Sequence, residues 1–203
     1  MAVMAMFPLG LVLYPGSILP LHIFEPRFRA LAEQCLAGDQ RFGVVLIERG
    51  YEVGGGDERS TVGTVAKIIG AGRFPDGRYA LETIGVQRIR VTAWLPDNPF
   101  PRADVEEWPD EYSELSVLEV AAAQTAEKLR RVLDRAGRAG HDVAPATVEL
   151  PDDPLAASYA MAAVAPLATP DQQRLLKAAG PLDRLAQLGV LLDGYGEILA
   201  LEM

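Results

Sequence analysis

The sequence predicts an α+β protein, with a strand-rich first half that holds one helix and a helical second half. Three observations carry that reading. Short apolar runs bounded by glycine and proline fill residues 1–107, the pattern of a barrel or sandwich of short strands. Apolar residues at helical spacing interrupt them once, just after Pro26. The composition then changes near Trp108: residues 104–119 hold seven acids and no base, and helical spacing dominates beyond them. The expected division is residues 1–108 and 109–203.

Upstream of Pro26 the apolar runs are broken by Pro8, Pro15-Gly16 and Pro20. They read as kinked or edge strands, because proline brings no N–H to a ladder. Phe28, Leu31, Ala32, Cys35 and Leu36 then form one helical face. Pro26 suits the first helical position, Glu25 places negative charge at the dipole's positive end, and Gly38 is a natural stop. Residues 41–48 read as a buried strand, and residues 49–60, with Gly54-Gly55-Gly56, as a mobile hairpin loop. Residues 61–69 and 79–84 are strand-like around the turn Pro75-Asp76-Gly77. Residues 88–94 alternate, with Ile89, Val91 and Ala93 on one side and Arg88, Arg90 and Thr92 on the other. Residues 102–106 alternate again, with Ala103 and Val105 inward.

A helix is expected over residues 112–136, with Leu115, Leu118, Ala122, Leu129 and Leu133 inward. Its acids at the start and its cations at the end complement the helix dipole. Residues 138–152 form a loop. Three helices follow. Asp153-Pro154 starts one that ends before Pro166. Thr169 caps the next, which Gly180 closes. Leu182, Leu185, Leu188, Leu192 and Tyr195 mark the third, with an interruption near Gly194 and Gly196.

The net charge of −9 argues against nucleic acid, whose binding needs cations to displace counterions, and against docking on anionic lipid. The first basic residue is Arg27, so the apolar N-terminus lacks the charged start of a secretory signal, and no apolar run is long enough for a membrane span. A cytoplasmic protein is expected. The single cysteine, Cys35, excludes an intrachain disulfide and lies on the apolar helix face, where an inert core role is expected.

Catalytic motifs are missing. No G-x-x-x-x-G-K-[ST] cradle exists, and none of Lys67, Lys128 and Lys177 belongs to a recognisable serine–lysine dyad. No G-x-S-x-G elbow occurs; Ser17 leads into an apolar run. Gly70-Ala71-Gly72 begins like a dinucleotide loop but leads into a strand. The two histidines, His22 and His141, share no ligand motif. No cofactor or metal is expected.

The run Pro15-Gly16, then Leu19-Pro20-Leu21-His22-Ile23-Phe24-Glu25-Pro26-Arg27-Phe28, resembles the signature of the Lon protease N-terminal substrate-binding domain family. The similarity extends through Gly63-Thr64-Val65-Ala66-Lys67-Ile68, the Pro75-Asp76-Gly77 turn and Gly85-Val86-Gln87-Arg88-Ile89-Arg90-Val91, and more weakly to Leu182-Asp183-Arg184-Leu185. It implies a PUA-like, mostly antiparallel β-barrel with an inserted helix, followed by a C-terminal α-helical bundle. A full Lon protease adds an ATPase and a protease module. This chain ends at Met203, where they would begin, so the resemblance suggests a stand-alone Lon-N-like protein or an N-terminal piece, without proteolysis of its own.

The leading functional expectation is a non-catalytic module that binds unfolded or apolar polypeptide segments in a cleft between barrel and helices, or by strand addition, with a separate ATP-dependent protease as a possible partner. The candidate contacts are Phe74, Arg73 and Arg78 at the turn and Tyr51 in the glycine-rich loop. Phenylalanine is unusual at a turn tip; it either folds back onto the barrel or anchors a bound peptide. Pro20, His22, Phe24, Glu25, Pro26 and Arg27 are read as the structural signature, with Glu25 and Arg27 holding the strand-to-helix corner. Two alternatives stay open: an RNA-binding module using Arg88, Arg90 and Arg102 on one face, and a hydrolase with a nonlocal site built from His22 and Ser17.

Overall fold

The computed structural model describes residues 2–50 and 58–201. They form two compact units, Met1–Pro109 and Asp110–Met203. The first holds β1 (Ala2–Leu9), β2 (Ile18–Ile23), α1 (Pro26–Ala37), β3 (Arg41–Arg49), β4 (Glu58–Arg73), β5 (Tyr79–Leu95) and β6 (Arg102–Glu107). The second holds α2 (Leu115–Arg138), α3 (Pro154–Val164), α4 (Thr169–Leu176) and α5 (Pro181–Leu201). The class is α+β, a mixed sheet with helices.

The sheet runs β2-β5-β4-β3-β1-β6, and β6 also pairs with β5. The pairings therefore form a circuit, β5-β4-β3-β1-β6-β5, with β2 added at its side. β1 pairs with β3 in parallel through Met6–Leu9 and with β6 antiparallel through Ala2–Ala5, so Pro8 lies in the half of β1 that pairs with β3 alone. β2 is the edge strand: its one ladder is to β5. There Pro20 can lack an N–H without breaking a central ladder.

Residues 79–84 and 88–94, read from sequence as two strands, are one continuous strand, β5. One edge of it pairs with β4 along most of its length; the other is shared by β2 near its start and β6 near its end. Gly85 fills the gap between them. Its carbonyl accepts from the Gly16 N–H at 2.8 Å and its N–H donates to the Ser17 carbonyl at 2.9 Å. A Cβ at Gly85 would overlap the Tyr14 carbonyl oxygen, so the Pro15-Gly16 corner can lie this close only because residue 85 has no side chain.

A break in register between Val91 and Ala93 shifts the inward set. Ala93, expected inside, is exposed, and Trp94 packs against the cluster of Met6, Val45, Val65, Ile89, Val91, Ala103 and Val105 instead. The other core cluster joins β1, β3 and β4 to the inner face of α1: Phe28, Leu31, Ala32 and Cys35 are buried. Burial, with a smaller contribution from Asp39, raises the Cys35 thiol pKa to about 12, and the Sγ lies 3.3 Å from the Arg41 carbonyl oxygen. β4 runs on past residue 69 to Arg73, which leaves a tight turn rather than a loop. Most of the glycine-rich loop lies outside the described residues.

In the second unit α2 begins at Leu115, later than expected, and Leu115 is exposed. Leu118, Ala122, Ala126, Leu129 and Leu133 form the buried face. Asp153 caps α3 by accepting from the Ala156 N–H at 2.8 Å. Ala168, not Thr169, is the cap of α4. α5 continues through Gly194 and Gly196; buried Leu192 and Leu199 flank them, and this packing outweighs the roughly 1 kcal/mol that each glycine costs a helix.

Arg184 on α5 is 0% exposed. Its guanidinium donates to Asp110 Oδ1 at 2.5 Å, Ser158 Oγ at 2.7 Å and the Leu175 carbonyl at 3.3 Å, and lies 3.6 Å from the Tyr159 ring centre. The Tyr159 hydroxyl donates to the other Asp110 oxygen at 2.6 Å. One arginine thus ties the segment before α2 to α3, α4 and α5.

Candidate polypeptide-binding site

β2 and β4 both run antiparallel to β5, so their C-terminal ends lie at the same end of the sheet. Ile23, Tyr79 and Arg73 pair in one row across the three strands. The next residues of β2 and β4 are Phe24 and Phe74. Phe24 is 57% exposed and Phe74 is 40% exposed. An edge strand and a neighbouring hairpin therefore present two aromatic rings at one end of the sheet.

The turn that carries Phe74 is closed by local bonds. The Phe74 N–H donates to the Arg78 carbonyl, and the Gly77 N–H to the Phe74 carbonyl, both at 2.9 Å. Gly77 has φ +83°, a conformation that other residues resist. The Asp76 carboxylate accepts from the Arg78 N–H at 3.1 Å and from Arg78 Nε at 2.7 Å. These contacts, the backbone one first, hold the Asp76 pKa below the usual aspartate value. The same Arg78 sits 5.6 Å from the Phe74 ring centre. Arg73 lies 5.6 Å from the centre of the Tyr79 ring and 3.6 Å from the Glu33 carboxylate.

Of the residues read as structural, two belong to this surface. His22 is exposed and its ring lies 5.7 Å from that of Phe74. Phe24 shares its outward parity with Pro20 and His22, while Leu19 and Ile23 point inward; strict alternation along β2 is the signal that marks it in the sequence. Pro20 lies within the edge strand β2, and Glu25, Pro26 and Arg27 shape the corner. Glu25 is the N-cap residue of α1 and Pro26 its first residue. Arg27 Nε lies 3.0 Å from Glu25 Oε2, and its guanidinium lies 4.4 Å from the centre of the Phe28 ring. Tyr51 is outside the described residues.

Of the alternative RNA face Arg88 is buried and Arg90 exposed, and the alternative hydrolase pair is kept apart. Arg88 is 3% exposed. It and Arg90 both lie 4.5 Å from the Trp108 ring centre, and Arg88 also donates to the Pro109 carbonyl at 3.3 Å. Arg88 is thereby withdrawn from a nucleic-acid face, whereas Arg90 remains exposed. Ser17 and His22 are separated by the extended β2 strand, roughly 16 Å by strand rise, and the odd spacing sends their side chains to opposite faces. Among the described residues no group of three or more His, Cys, Asp or Glu could hold a metal ion, and no helix is long and apolar enough to cross a membrane.

Comparison with known proteins agrees with this architecture. A Lon N-terminal domain protein from Xanthomonas campestris superposes with a TM-score of 0.67 at 26% identity, covering 93% of this chain and 97% of that one. The N-terminal domain of the Mycobacterium avium complex Lon protease has the same fold, with a TM-score of 0.65 over 95% of this chain and 98% of that one, at 18% identity. The Lon protease of Desulfovibrio desulfuricans is 28% identical over 94% of this chain, which corresponds to 22% of its own length; that of Dictyoglomus thermophilum is 34% identical over 47% of this chain and 12% of its own. The chain thus spans less than a quarter of the length of either relative. The sequence model of the ATP-dependent protease La (LON) substrate-binding domain matches residues 3–194, and the chain belongs to that family.

Proposed function

We propose that this chain recognises unfolded or apolar polypeptide segments without cleaving them, and that the contact surface is the end of the sheet where Phe24 and Phe74 emerge. The observation that carries this reading is their joint exposure beside His22. Water gains nothing from two exposed rings on a rigid scaffold, whereas an apolar client segment would cover them. Arg73 and Arg78 supply donors at the rim for client carbonyls or carboxylates. We read the circuit of strand pairings as the PUA-like barrel and α2–α5 as the helical bundle that accompanies it. Family membership supports substrate recognition as the role, with an ATP-dependent protease as the partner that would receive what is bound.

The test is Phe74→Ser. The variant should bind fluorescently labelled unfolded casein about tenfold more weakly with its melting temperature nearly unchanged. A fall in melting temperature with unchanged affinity per folded molecule would show that the ring serves the fold, and the reading would fail.

A further inference from the structure

A slot opens along the free edge of β2. It has a volume of about 210 Å³ and is lined by consecutive residues of two strands, Phe7 to Leu9 of β1 and Pro20 to Ile23 of β2, together with Phe24, Glu25 and Phe28. Among the described residues both strands present an unpaired edge to it. β2 has one ladder, to β5, and Phe7, Pro8 and Leu9 pair with β3 alone. Stacked Phe7 and Phe28, with ring centres 4.1 Å apart, contribute an apolar wall. At the α1 end the Glu25–Arg27 pair sits beside the slot.

We infer that this slot takes one large apolar side chain of an extended client segment whose backbone lies along β2. The inference rests on the proposed role in polypeptide recognition and specifies the conformation and side chain recognised. Size supports it: an apolar cavity of about 150 Å³ is enough for benzene, while sites for cofactor-sized ligands begin near 300 Å³. The slot therefore suits a phenylalanine, leucine or methionine side chain. The edge supports it as well, because unpaired strand backbone is the surface to which an extended peptide adds. Pro20 removes one donor from that edge, which confines pairing to the stretch toward Phe24 and leaves the side chain in the slot to supply most of the affinity. Phe24 lines the slot and also stands at the exposed sheet end, so the slot is continuous with the surface proposed above.

The probe is a short acetylated peptide that alternates threonine and lysine around one central phenylalanine, titrated into the whole chain and followed by the amide NMR signals of Leu21, Ile23 and Phe24. Binding should weaken about tenfold when the phenylalanine is replaced by serine. N-methylating alternate peptide nitrogens should weaken it to a smaller but measurable extent in one phase, where the methyls face β2, and leave it unchanged in the other. These peptides leave the protein untouched, so no folding defect can obscure the result. Equal binding by both methylated forms, or no response at the β2 amides, would overturn the inference. Leu21→Trp, which fills the slot from β2, extends the test to labelled unfolded casein. If Phe74→Ser weakens casein binding and neither Leu21→Trp nor the methylated peptides have an effect, the exposed surface stands and the slot fails. If only Leu21→Trp weakens it, the slot stands and the Phe74 surface fails. A concentration-dependent dimer in sedimentation that the peptide does not displace would mean that a second copy covers this edge, and would also overturn the inference.

Discussion

Arg184 and the Phe24–Phe74 surface are mirror cases of polarity out of place. One is a charged side chain with no exposure at all; the other is a pair of phenylalanines in water. The arginine is compensated: a carboxylate, a hydroxyl, a carbonyl and an aromatic face surround it. The phenylalanines are not, since the fold supplies His22 and Arg78 beside Phe74 and leaves much of both rings exposed. A buried charge with a complete set of partners belongs to the architecture. An apolar surface whose covering the fold does not complete is where a partner's contribution should be sought.

Substitution on each side can break this contrast. The largest effect is expected from Arg184→Ala, which strands the Asp110 carboxylate; unfolding in urea should show a loss of about 3–5 kcal/mol. A loss below 1 kcal/mol would mean that the network is dispensable. Gly85→Ala forces a methyl against the Tyr14 carbonyl and should cost about 1–3 kcal/mol in the same assay, provided the corner cannot move away. A smaller, pH-dependent effect is expected at Asp183, whose carboxylate accepts from Gln187 Nε2 and from the Ala179 N–H, both at 3.0 Å. The Gln187 bond first, then the Ala179 bond and nearby cations, lower its pKa in the fold. A lowered folded value means stabilisation that is present at neutral pH and lost as pH falls through it. The melting-temperature gap between the wild type and Asp183→Asn should therefore close in acid; because the group is exposed, it should correspond to less than about 1 kcal/mol at neutral pH. Phe24→Ser should have the least effect on stability, within about 0.5 kcal/mol, while reducing capture of unfolded casein. A large drop in melting temperature there would place Phe24 with Arg184 as part of the architecture.

The two regions also differ in how far they can be read from the chain. Arg184 lies in a leucine-rich helical pattern and looks like a surface cation. Its partners Ser158 and Asp110 are 26 and 74 positions away, and no local pattern links them. Phe24 and Phe74 are conspicuous in the sequence, one in the signature run and one at a turn tip, but their proximity depends on β2 and β4 flanking the same strand. The packing of Arg88 and Arg90 against Trp108 was likewise not legible, and it takes the buried Arg88 out of the face on which the RNA expectation depended.

The sequence by itself determined the elements whose cause is local. Pro26 and the apolar spacing of Phe28, Leu31, Ala32 and Cys35 define α1; Pro75-Asp76-Gly77 defines a turn; Asp153-Pro154 starts a helix. Each follows from φ restriction, capping or periodicity within a few residues. Only the tertiary structure decided that β5 is one strand shared by β2 and β6, because that depends on Gly85 admitting the backbone of a corner some seventy positions earlier. It also decided which aromatic rings stay exposed, because exposure is set by what packs over a residue, and that is a property of strand order rather than of sequence neighbours.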